Sequence, residues 1–100
     1  MNIVWIKKAQ HHLTRIEYFL RENIQLEENT ILDIIDKLNR APKKLLQFPR
    51  MGQLTDIVEG KEVRRLLVKD YKIYYKVEGD TIVVLSVLHA KEDIEGIVVE

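Results

Sequence analysis

Arg64 and Arg65 stand side by side, and Tyr71, Lys72, Tyr74, Tyr75 and Lys76 follow shortly after, with His89 closing the next apolar run. Guanidinium and ammonium groups hold phosphates or carboxylates, tyrosine rings stack on bases or fill pockets, and histidine moves a proton near neutral pH. Gathered on one surface, these groups have the makings of an RNA-cleaving site. Without the proton transfer they are equally the residues that anchor protein interfaces, where arginine and tyrosine are enriched. For Tyr71 and Tyr75 a third reading is favoured, as half-buried sheet residues. Adjacent arginines give a strand little of its own, so Arg64 and Arg65 are read as functional. His89 is read either as a proton carrier or as a hydrogen-bonded group at a strand end.

These residues sit in a pattern of strands. Val63 to Val68, Tyr71 to Glu78 and Thr81 to His89 alternate or run apolar, with Lys69-Asp70 and Gly79-Asp80 as two-residue turns. Successive strand side chains point to opposite faces, so the two arginines are split. A Lys69-Asp70 turn pairs Val68 with Tyr71. It puts Arg64, Leu66, Tyr71, Ile73, Tyr75 and Val77 on one face and Arg65, Leu67, Lys72, Tyr74 and Lys76 on the other. The next turn adds Val83, Leu85, Val87 and His89 to that second face, unless a β-bulge intervenes.

Upstream, Asn2 to Ile6 reads as a strand. Ala9, Leu13, Ile16 and Leu20 recur at helical spacing, which predicts a helix over Lys7 to Glu22, stopped near Asn23. Ile31, Ile34, Ile35 and Leu38 predict a second helix over Leu26 to Arg40, ended by Pro42. Lys43 to Lys61 reads as a linker with weak helical character at Leu45 and Leu46 and a turn at Pro49 and Gly52. The tail from Ala90 reads as a short helix followed by an apolar run at 97 to 99. The order β-α-α-β-β-β implies an α+β fold in one domain over residues 1–100: an N-terminal strand, then a helical hairpin on one face of a twisted, mainly antiparallel sheet.

The chain has 100 residues and no cysteine, which excludes disulfides and cysteine-based metal sites or nucleophiles. Its formal net charge is zero, which argues against general nucleic-acid binding. The charge is unevenly spread: Lys37 to Lys76 carries eleven Lys/Arg against four Asp/Glu, with acidic flanks on both sides. Such a basic middle suits an anionic partner. No glycine-rich phosphate loop, catalytic triad or paired carboxylates appear. His11 and His12 diverge by about 100° on a helix, so they are poor co-ligands for a metal. No cofactor is expected. Apolar runs are too short to span a bilayer and the N-terminus lacks a signal-peptide core, so a cytoplasmic location is expected.

The chain resembles the RelE/ParE superfamily of toxins from type II toxin–antitoxin systems, and within it the ParE branch. The resemblance runs from Ile3 to about Asp93. It is carried by Ala9, Leu13, Ile16 and Phe19 in the first helix, by Leu46-Gln47-Phe48-Pro49-Arg50-Met51-Gly52, by Arg64 with Tyr71-Lys72-Ile73-Tyr74-Tyr75-Lys76-Val77, and by Val87-Leu88-His89. It implies a toxin that binds and poisons DNA gyrase and is neutralised by a cognate acidic antitoxin, with a toxin–antitoxin hetero-oligomer possible. Arg64, Arg65, Lys72, Tyr74 and Lys76 would then bind partners. The RelE alternative implies ribosome-dependent messenger-RNA cleavage with Arg64, Arg65, His89 and Lys91 as the catalytic groups. A further alternative is a non-toxic relative that retains only antitoxin binding. Gln53, and Ala90-Lys91-Glu92-Asp93 where many relatives have arginines, favour the ParE-like reading, because a neutral chain docks poorly into ribosomal RNA.

Overall fold

Strand β1 (Asn2–Trp5) leads directly into helix α1 (Lys7–Phe19). The computed structural model describes residues 1–91. Ala9, His12 and Ile16 form the buried stripe of α1, as the helical spacing requires. The helix then widens into one π-helical turn, Leu20–Ile24, running past the end expected at Glu22. Gln25 terminates that turn in the left-handed region at φ 59°, and the Leu26 N–H reaches back to the Leu20 carbonyl at 3.2 Å. Helix α2 (Glu28–Arg40) follows, two residues shorter at its start than expected. Arg21 ties the helices together, reaching Glu17 at 3.1 Å and Glu28 at 2.6 Å. α2 ends at Arg40, as expected ahead of Pro42; Pro42 itself stands in the first turn of a 3₁₀ segment, Ala41–Leu46, that buries Leu45, where proline is tolerated.

Four strands complete the sheet: β2 (Gln53–Val58), β3 (Lys61–Val68), β4 (Tyr71–Glu78) and β5 (Thr81–His89). With β1 they lie in the order β1-β5-β4-β3-β2, with β1 parallel to β5 and the rest antiparallel. The α+β class stands, but β2 lies inside the segment expected to be a linker. It is an edge strand with mostly exposed residues, and its pairing with β3 shifts between Leu54 and Asp56. Neither alternation nor a continuous apolar run marks it. The short helix and apolar tail expected after Ala90 fall almost wholly outside the described residues.

The helices cover one face of the sheet. Ala9, Ile16, Leu20, Ile31 and Leu38 meet Tyr71, Ile73, Val84 and Val87 there. The 3₁₀ segment extends the cover, with Leu45 against Tyr75 and Ile82. The opposite face carries a smaller cluster of Val63, Tyr74, Leu85 and Leu88. Among the described residues no helix is long and apolar enough to cross a membrane.

The loop before β2 is held from inside. The Tyr75 hydroxyl donates to the Pro49 carbonyl at 2.8 Å and accepts from the Gly52 N–H at 3.0 Å. Arg64 donates to the carbonyls of Gly52 (2.7 Å) and Arg50 (3.2 Å), and to the Glu62 carboxylate at 3.0 Å. Gly52 is needed for space: a Cβ there would lie 2.7 Å from the Tyr75 ring edge and hydroxyl and 2.9 Å from the Arg65 carbonyl. Gly52→Ala is therefore expected to destabilise the chain by about 1–3 kcal/mol through overpacking. Tyr75→Phe should cost about 1–3 kcal/mol through two backbone groups left unpaired. Because both act on one clasp, the double variant should lose less than the two single losses added together. Urea denaturation of the three variants checks this, and full additivity would count against a shared clasp.

Candidate binding site

The β3–β4 register is the one expected from the Lys69-Asp70 turn: Arg64 pairs with Tyr75, Arg65 with Tyr74 and Leu67 with Lys72. Arg65, Lys72, Tyr74 and Lys76 therefore share the face opposite the helices. The next pair departs from simple alternation. Tyr74 pairs with Ser86 but Tyr75 pairs with Val84, so Leu85 is an extra residue in β5. This bulge keeps Val83 and Leu85 on the face expected but turns Val87 and His89 to the helix side. There Val87 joins the main core and His89 meets Tyr71 edge to face, with ring centroids 5.6 Å apart. The expected grouping of His89 with Arg65, Lys72, Tyr74 and Lys76 is thus corrected by one inserted residue.

The bulge region is also where β1 stops pairing with β5, at Val84. The N–H of Val87 is met at 3.2 Å by Nδ1 of His12, which is buried. That ring nitrogen accepts, so His12 satisfies a backbone amide from α1, whereas its neighbour His11 points to solvent. Among the described residues no cluster of ligating side chains could hold a metal.

The arginines divide between two kinds of work. Arg64 is spent on Glu62 and the loop carbonyls, with its side chain only 14% exposed. Arg65 makes a hydrogen bond from Nη2 to the Gln53 side-chain oxygen. Its Nε is buried without a partner, as are the hydroxyl of Tyr74 and Oγ of Ser86. Lys76 pairs with Glu78 at 2.8 Å, and Lys72 is buried among its neighbours.

On the other side, α1, the π turn, α2 and the β3–β4 turn enclose a groove of about 810 Å³. Its floor is Ile16, Leu20, Leu26 and Ile34, and Phe19 and Ile24 stand half exposed at its edge. Helical spacing alone places Phe19 only as a neighbour of the core stripe. The π turn supplies Leu20 and Ile24 to the lining, and periodicity does not reveal that turn. Arg15, Lys37, Lys69, His89 and Lys91 contribute cationic or titratable groups to the lining. At the rim, Lys37 from α2 and Lys69 from the β3–β4 turn bring their ammonium groups together, with Asp33 on Lys37 at 3.1 Å. The Lys37 ammonium draws Lys69 below the ordinary lysine range, while contact with Lys69 and then Asp33 raises Lys37. Lys69 also sits at φ 52°, a left-handed conformation that costs a side-chain-bearing residue free energy.

The residues expected in a catalytic set are not gathered: Arg64 is clasped to its loop, Arg65 faces away from the helices, and His89 and Lys91 line the groove.

Comparison with known proteins gives matches of two kinds, a family model and solved structures. A model of the family described as "ParE toxin of type II toxin-antitoxin system, parDE" matches residues 3–94. A solved structure titled "Chromosomal ParDE TA system from P. aeruginosa" superposes with a TM-score of 0.73 at 22% identity, covering 91% of this chain and 97% of that one. No curated protein matches.

The lysine pair makes a prediction of its own. With its folded value depressed, Lys69 binds fewer protons in the folded chain than in the unfolded one just below the lysine reference of about 10.4. Stability from this group therefore rises with pH across that window, and the repulsion is fully present at neutral pH. In a ¹³C NMR titration Lys69 should have a lower midpoint than the other lysines and return towards them in Lys37→Gln. Lys69 titrating with the rest would refute the pairing.

Proposed function

The chain belongs to the ParE toxin family of type II toxin–antitoxin systems, and from that premise we propose that it acts by binding and poisoning DNA gyrase, with no chemistry of its own, and is neutralised by a cognate acidic antitoxin. The observation that carries the reading is the Leu85 bulge. It sets His89 across the sheet from Arg65, Lys72, Tyr74 and Lys76, so the set expected on that face for RNA cleavage is not gathered there. The formal charge of zero supports the same preference, since docking into ribosomal RNA rewards a large positive charge.

The antitoxin's seat is the groove. Its apolar floor and half-exposed Phe19 and Ile24 suit the apolar stripe of an amphipathic helix. The Lys37–Lys69 pair suits the carboxylates on such a helix. Two like charges held together against their own repulsion are relieved by an incoming anion.

Three measurements test the proposal. Purified chain at micromolar concentration should inhibit gyrase supercoiling and accumulate cleaved DNA; unaffected supercoiling would overturn the target assignment. Induction in a growing culture should arrest growth while messages stay intact, and unimpaired growth would favour a non-toxic relative. Phe19→Asp and Ile24→Asp, both at exposed positions, should each weaken the complex with the antitoxin encoded beside it by roughly 10- to 100-fold. Undiminished affinity in calorimetry would move the antitoxin elsewhere.

A further inference from the structure

The loop that leads into β2 is fixed from below and apolar on top. Tyr75, fully buried, gives its hydroxyl to the Pro49 carbonyl and the Gly52 N–H, and Arg64 braces the carbonyls of Arg50 and Gly52. On this held backbone Phe48 stands 59% exposed and Met51 45% exposed. Aromatic residues and methionine are enriched where proteins dock, and a backbone ordered in advance lowers the cost of docking. Phe48 and Met51 border a hollow of about 1050 Å³, bounded further on by Gly60 of the β2–β3 turn and Gly79 of the β4–β5 turn.

The charges around this hollow are unevenly engaged. Glu62 is taken by Arg64 and Arg50, and Glu78 by Lys61 and Lys76. Lys43 and Lys44, exposed in the 3₁₀ segment, have no carboxylate among the described residues. The Lys44 carbonyl accepts from the Phe48 N–H at 3.0 Å, so the two side chains stand one helical turn apart on the same side. The patch is also distinct from the groove. β4 runs between them, with Tyr71 at the groove and Val77 at the hollow, about 20 Å apart at the ordinary strand rise.

We propose that Phe48 and Met51, with Lys43 and Lys44 beside them, form the surface that docks the target, and that the target offers there a protein segment with an apolar side chain next to carboxylates. The apolar pair takes the side chain, and the two uncommitted ammonium groups take the carboxylates. A nucleic-acid backbone needs a field of cations, whereas Arg50, Arg64 and Lys61 are already paired here. The identity of the target rests on the gyrase reading; the chemistry of the surface does not.

Two probes test this on the full chain. In ¹⁵N NMR the peptide acetyl-Asp-Glu-Leu-Phe-Glu-Asp-amide should move the amide resonances of residues 43–51 saturably. Phe48→Ser, and Lys43→Gln combined with Lys44→Gln, should each weaken that binding roughly threefold or more. No saturable movement, or movement confined to the groove, overturns the surface. A tighter response to a thymidine hexanucleotide would overturn the protein segment in favour of nucleic acid. Purified gyrase is the second probe. The same variants should lose gyrase affinity by roughly 10-fold or more, with Tm and antitoxin affinity unchanged. Undiminished gyrase affinity, or an equal loss of antitoxin affinity, overturns the assignment of this surface to the target. Peptide binding without gyrase binding by the unaltered chain would refute gyrase and leave the surface standing.

Discussion

One extra residue in β5 governs what this molecule presents to its surroundings. Leu85 shifts the β4–β5 ladder, so that everything after it exchanges faces. Val87 is delivered to the core under the helices, Ser86 to the row with Tyr74 and Arg65, and His89 to the groove beside Tyr71. A sheet has only two faces, and a single insertion is enough to reassign them. The imidazole of His12 secures the arrangement by meeting the Val87 amide where β1 no longer reaches. Sequestering that amide at a break in the ladder makes the bulge a held feature of the fold.

The two faces of the sheet differ in chemistry. On the helix side an apolar groove is rimmed by Lys37 and Lys69. Opposite it, Arg65, Tyr74 and Ser86 each bury a polar atom without a partner. The split of the Arg64-Arg65 pair follows from strand geometry alone, but the division of labour does not. Arg64 is a structural brace because the Pro49–Gly52 loop offers it carbonyls, and Arg65 keeps its charge available because the side chain it meets is the neutral Gln53.

Much of this is legible in the order of residues alone. Helical spacing at Ala9, Ile16, Ile31 and Leu38 locates both helices, and the Lys69-Asp70 turn fixes the β3–β4 register residue for residue. Three features stay hidden, each for a physical reason. β2 is an exposed edge strand whose stability comes from pairing with β3, so its own residues carry no apolar signature. The bulge lies within TIVVLSVLH, where apolar residues on both faces leave no alternation to be broken. The π turn follows helical residues without a change of composition, and a cue lies only in the chain's reversal at Gln25. Fold class follows from periodicity, whereas the site depends on where periodicity is interrupted.

The parallel pairing of β1 with β5 joins Ile3 to Ile82. During synthesis the first strand therefore emerges long before its neighbour exists, and the hairpins of β2 to β5 must assemble ahead of it. Contacts so distant in sequence are the slow ones to close. A ribosome-bound chain would thus pass through an interval in which α1 has no finished sheet beneath it. Because α1 forms one wall of the groove, that wall has no finished sheet behind it until translation has run past β5.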